Sequence, residues 1–218
     1  MKFKYVGIFV LVFFLNNAAL GQEESDWKLV KTNSDVKAYV KKVSYIQINK
    51  VKVESVVETT LSELVTLIKD AKNHCAWVFL NEKAEIIEVT NDFKWKYYAH
   101  ISAPWPVTDR DFITDVTLKQ NNIDYSITIL SVAMPDFLPD KEDCVRIPYI
   151  ISQWTLNPLK DGQVHVSLEI EVDIGGTIPA WLVNLAVTKG PLSTMNGLIR
   201  VLQTDKYKGV ILDYVDEF

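Results

Sequence analysis

The stretch "QVHVSLEIEVDI", Gln163 to Ile174, alternates without a break. Val164, Val166, Leu168, Ile170 and Val172 fall on one side. His165, Ser167, Glu169, Glu171 and Asp173 fall on the other, expected in water. A period of two marks a half-buried strand, because successive side chains of a strand point to opposite faces. Such a strand needs neighbours on its edges and a cover for its apolar face. Other segments supply the neighbours. "FKWKYYAHIS" sets Phe93, Trp95, Tyr97, Ala99 and Ile101 against Lys94, Lys96, Tyr98 and His100. "FITDVTLK" sets Phe112, Thr114, Val116 and Leu118 against Ile113, Asp115, Thr117 and Lys119. "DYSITILS" and "VRIPYIISQWTLNP" follow, with "KQNNID" and "LKDG" reading as hairpin loops. Upstream, Trp27 to Val43 alternates loosely and "IQINKVKVESVV" is rich in β-formers. The expectation is a curved antiparallel sheet.

Two helical regions supply the cover. Thr60 with Glu63 three residues on is a capping-box pattern, and Leu61, Leu64, Val65 and Ile68 follow at helical spacing. A shorter helix is expected over Asn73 to Val78. After Gly175-Gly176, "AWLVNLAVTKGPLSTMNGLIRVLQT" reads as one long helix from about Pro179, kinked at Gly190-Pro191 because Pro191 has no N–H to donate. Val183, Val187, Pro191, Thr194, Leu198 and Val201 share one face of it. Trp181, Leu185, Leu192, Met195 and Ile199 make a second apolar stripe, for which the C-terminal "VILDYVDEF" is the expected partner and an interface the alternative. The helix is not basic, which disfavours a resident membrane-surface role and leaves transient membrane contact open. The fold class is therefore α+β: a curved antiparallel sheet wrapped around a long C-terminal helix.

The first 21 residues have another reading. Lys2 and Lys4, the apolar run Val6 to Leu15 and the small residues Ala19 and Gly21 make a secretory signal peptide with cleavage expected after Gly21. The run is too short to span a bilayer of ~30 Å. A single domain is expected over residues 22–218, exported to a periplasm or secreted. Removing Lys2 and Lys4 leaves 21 basic against 28 acidic residues, a net charge of −7, so nucleic acid is not an expected partner. Export permits a Cys75–Cys144 disulfide; two separate thiols are the alternative. Two isolated cysteines and His74, His100 and His165 offer no metal-ligand spacing, and no cofactor motif is present.

Several pieces together resemble the START (steroidogenic-acute-regulatory-related lipid-transfer) family. They are Pro104-Trp105-Pro106, Arg110-Asp111-Phe112, Val145-Arg146-Ile147, Trp154, Pro158, and Gly176 with Ile178-Pro179-Ala180-Trp181-Leu182-Val183-Asn184. The resemblance implies a helix-grip fold with a deep cavity for one lipid or other apolar molecule, lidded by the C-terminal helix. Its implied role is noncatalytic binding or carriage. Two alternatives stay open: an enzyme, since the wider superfamily includes cyclases and hydrolases, and an interaction domain whose cavity is filled by its own side chains. No catalytic set is apparent; His74 beside Cys75 is a weak pair, because neighbours on a helix point about 100° apart. Trp95, Tyr97, Val116, Tyr125, Tyr149 and Val166 are expected on the concave face, with Val187, Thr194 and Leu198 reaching the ligand from the helix. Trp77 and Trp154 read as core. Arg110 reads as a structural ion-pair knot between Asp109 and Asp111. Oligomeric state and ligand identity have no signal in the sequence.

Overall fold

The alternating segments pair edge to edge into one sheet. The computed structural model describes residues 27–33, 35–43, 50–177, 179–185 and 189–218. The leader, Val187 and Ile178 lie outside the described residues. The strands are β1 Lys28–Asn33, β2 Val36–Lys41, β3 Lys50–Glu58, β4 Asn81–Asn91, β5 Lys94–Ile101, β6 Asp109–Gln120, β7 Ile127–Ala133, β8 Cys144–Arg146, β9 Tyr149–Pro158 and β10 Gln163–Asp173. Their order across the sheet is β1-β2-β3-β10-β9-β7-β6-β5-β4, every neighbour antiparallel, with β8 joined to β6 in parallel. The sheet curls so that β3, β5, β6, β7, β9 and β10 all face one interior.

Helix α1, Leu61–Lys69, begins as its sequence requires. Thr60 Oγ1 accepts from Glu63 N at 3.2 Å, and the Glu63 carboxylate accepts from Thr60 N at 3.4 Å. Two further free amides of its first turn are taken by the C-terminal tail. Leu61 N and Ser62 N donate to the Glu217 carboxylate at 2.9 and 2.8 Å. Tyr207 and Val215 of the same tail are buried in the main core.

The expected helix over Asn73 to Val78 is instead a 3-10 turn over Ala71–Ala76. Of the expected long C-terminal helix, the described residues form α2 Ala180–Asn184 and α3 Gly190–Leu202. Pro191 falls in the first turn of α3, a position that tolerates a missing N–H. Helix α3 packs on β2, β3 and α1, which bury Leu192 and Met195.

The outward face of the sheet is not all in water. Tyr98 and Ile113 are buried although they alternate outward. The connection between β7 and β8 folds back over them: Lys141 Nζ donates to Tyr98 Oη at 2.6 Å. Ser167 and Glu171, expected in water, are buried too, and Tyr149 Oη donates to Glu171 at 2.6 Å. Alternation separates the two faces but does not say which outward positions a loop or neighbour will cover.

Candidate functional site

Strand register lays the interior out in rungs. Trp95, Val116, Ser131, Ser152, Ile170 and Val51 stand in successive direct pairs across β5, β6, β7, β9, β10 and β3. Towards the β6–β7 hairpin, Leu118, Ile127, Leu156 and Val166 pack solidly with α1 and the end of α3. On the other side the interior stays hollow. A cavity of about 270 Å³ lies there, near the lower end of the ~300–1,000 Å³ usual for small-molecule sites. Gly190, Pro191 and Thr194 of α3 and Phe79 roof it. Thr194 Oγ1 accepts from Phe79 N at 3.1 Å, which ties the roof to the segment after the 3-10 turn.

Of the residues the sequence puts forward, Trp95, Tyr97, Val116 and Thr194 line this cavity. Val166 and Leu198 lie in the packed half, fully buried. Leu198 shares the helix face of Thr194 but sits one turn further on. Tyr125 is in the β6–β7 loop against Phe218, with ring centroids 6.0 Å apart. Tyr149 points outward to Glu171. Val187 lies outside the described residues. Trp77 and Trp154, read as core, are buried and also line the cavity, with ring centroids 6.1 Å apart. The sequence reading missed Thr114, Ser131 and Ser152 as wall residues, although Thr114 stood on the inward side of the "FITDVTLK" alternation. It also missed His74, which no periodicity marks because it sits in the 3-10 turn.

His74 does not act with Cys75, which is exposed. Its Nε2 lies 3.0 Å from the Ile68 carbonyl and its Nδ1 2.7 Å from Tyr97 Oη. A carbonyl only accepts, so Nε2 carries the proton, and Nδ1 accepts from the Tyr97 hydroxyl. Burial pushes the His74 pKa down to about 4, against the opposing pull of the Ile68 carbonyl. Burial also pushes the Tyr97 phenol up. Both are neutral around pH 7. The described residues of the wall include no Asp, Glu, Lys or Arg.

The charged cluster after Pro104-Trp105-Pro106 is wired differently from the expected knot. Asp109 and Asp111 alternate away from Arg110 along β6. Asp111, fully buried, is held by Arg146 through Nε at 2.8 Å and Nη2 at 3.1 Å. Asp109 accepts from Ala103 N and pairs with His100 Nε2 at 2.9 Å, and the His100 bond lowers its pKa. Arg110 is buried, donates to the Thr108 and Gly175 carbonyls, and leaves its Nε without a partner. So Arg146, not Arg110, is the ion-pair knot. Topology also gathers Glu82, His100 and Asp109, with one ligand atom of each within 4.8 Å of the others, a grouping invisible in the sequence spacing. Cys75 and Cys144 are both free thiols, and burial pushes that of Cys144 up to about 11.

Comparison with known proteins agrees with this architecture. A family profile described as START domain matches residues 15–208. A crystal structure of a STAR-related lipid transfer protein from Xanthomonas axonopodis is similar, with a TM-score of 0.76 and 32% identity, covering 82% of this chain and 99% of that one. An uncharacterized protein of Pseudomonas aeruginosa is 30% identical over 79% of this chain and 85% of its own length. The phosphatidylcholine transfer protein of Rattus norvegicus is 21% identical over 82% of this chain and 85% of its own. With its ten-stranded curved sheet, its C-terminal helix over the cavity, and these matches along most of its length, the chain belongs to the START domain family.

Proposed function

We propose that this protein binds and carries a lipid or other apolar small molecule, without catalysis, in the cavity beneath α3. The observation that carries the reading is the hollow itself: an apolar wall with no charged side chain among its described residues, in a sheet that is otherwise close-packed. The names of the relatives, lipid transfer and phosphatidylcholine transfer proteins, support the same class of ligand. Against catalysis stands His74, whose two ring nitrogens are both engaged, leaving neither free as a base.

Entry needs an opening, since an apolar molecule cannot pass through packed side chains. Gly190 and Pro191 at the start of α3 lie at the roof, so α2 with the start of α3 serves as the lid. Trp105, 91% exposed, lies in the β5–β6 connection that leads to Arg110, and Trp181, 44% exposed on α2, follows the Gly175 that Arg110 meets. Aromatic side chains of this kind settle at membrane interfaces, and transient membrane contact through them fits carriage. The chain's leader fits an exported carrier, periplasmic or secreted.

The test uses Trp77, Trp95 and Trp154 as built-in donors. An apolar fluorophore such as N-phenyl-1-naphthylamine is expected to accept energy from them in the wild type. Ser152→Phe, which fills the cavity from β9, is expected to abolish the transfer while thermal stability stays within a few degrees. No transfer in the wild type, or full transfer in Ser152→Phe, contradicts the proposal.

A further inference from the structure

Resting on that reading, we propose that the cavity selects a neutral ligand bearing an uncharged oxygen group, and that a row of hydroxyls on its floor receives this oxygen. The row runs from β5 to β9. Tyr97 pairs directly with Thr114, and Ser131 pairs directly with Ser152. Thr114 and Ser131 are diagonal neighbours, because Ser131 pairs with Val116, two residues along from Thr114 on the same face of β6. These four are a polar band in a wall otherwise made mostly of aliphatic and aromatic groups.

The hydrogen-bond inventory says what the band wants. The Tyr97 proton is committed to His74 Nδ1, so its oxygen offers the cavity only lone pairs. Thr114 Oγ1 is buried with no partner in the protein, in a residue 1% exposed. Trp77 Nε1, a donor only, is likewise buried and unpartnered. A wall residue holding an unused acceptor thus stands with residues holding unused donors. A ligand hydroxyl matches this mixture, since it both donates and accepts. A phosphate or carboxylate only accepts, and would enter a wall whose described residues hold no cation. The rings of Trp95 and Trp154 could face a quaternary ammonium, but the phosphate joined to it would still lack a partner.

Three probes with one hydrocarbon chain separate the possibilities: 1-dodecanol, dodecane and, below its micelle concentration, dodecylphosphocholine. Each is titrated against wild-type protein loaded with N-phenyl-1-naphthylamine. Dodecanol is expected to displace the fluorophore at concentrations about tenfold lower than dodecylphosphocholine, and several-fold lower than dodecane. Thr114→Val is expected to weaken dodecanol about five- to tenfold and leave dodecane unchanged. Ser131→Ala serves as the second variant should Thr114→Val fold poorly, with the same pattern expected. Dodecylphosphocholine binding as tightly as dodecanol, dodecane matching dodecanol, or variants that weaken all probes alike overturns the proposal. Should the fluorophore and all three probes fail to bind the wild type, the carrier reading falls with it; a fluorophore that binds with no preference among probes overturns the selectivity alone.

Discussion

At His74 the surroundings decide the charge, and the decision has a pH signature. An unfolded histidine titrates near ~6.5, while burial holds His74 at about 4. Between these values the unfolded chain binds the extra proton, so stability is full above pH 6.5 and falls as pH drops towards 4. The loss attributable to His74 should reach about 3 kcal/mol. Denaturant melts of wild type and His74→Gln between pH 7 and 4 are expected to show the smaller pH slope in the variant; equal slopes contradict the assignment. Arg146 and Arg110 make a second contrast. Arg146→Met leaves Asp111 as a buried carboxylate without its counter-ion and is expected to cost ~3–5 kcal/mol. Arg110→Met strands no carboxylate, because Asp109 keeps His100 and the Ala103 amide, so its cost should be clearly smaller. Melting temperatures in the reverse order would refute the rewired cluster. The knot reading took Arg110 from its place between Asp109 and Asp111; along β6 these two share a face that Arg110 does not, and Arg146, the missing partner of Asp111, is brought from 35 residues away by β8.

Elements were legible where the signal was local. The Thr60–Glu63 box, the hairpin loops and the strand alternations all depend on residues a few positions apart, and the elements lie where these signals put them. Alternation also chose the right side for Trp95, Tyr97, Thr114 and Val116. It carried no information on distance along the strand, and that distance separates the hollow end from the packed end. Val166 and Leu198 were therefore read as wall residues while they belong to the solid core. The 3-10 turn stands where a short helix was expected, so His74 could be placed only by the fold, while Trp77, read as core, is core and cavity wall at once. That turn and α3 touch backbone to side-chain position at Gly197: a Cβ there would stand 2.3 Å from the Trp77 carbonyl oxygen. Because the obstacle is backbone, α3 or the turn must move. Gly197→Ala is expected to cost ~1–3 kcal/mol and to change the emission of Trp77 at the cavity wall. A variant with unchanged melting temperature and fluorescence would show that the approach is looser than described.

The whole molecule follows from one geometric conflict. A strongly curved sheet gripping a helix has more interior than α1, α3 and the tail fill, and the unfilled remainder is the cavity. Nothing in the alternation of apolar residues distinguishes a filled interior from a hollow one, since both need the same inward side chains. The hollow was expected only from the resemblance carried by Pro104-Trp105-Pro106, Arg110-Asp111-Phe112 and the segment around Trp181. The central claim, that this space exists to hold an apolar guest, is tested most directly by native mass spectrometry of the purified protein beside its Ser152→Phe variant. The account predicts a wild-type population carrying one additional lipid-sized mass, recovered in organic extracts and missing from the variant. A wild type that shows only the bare chain mass, even after incubation with apolar probes, would contradict it.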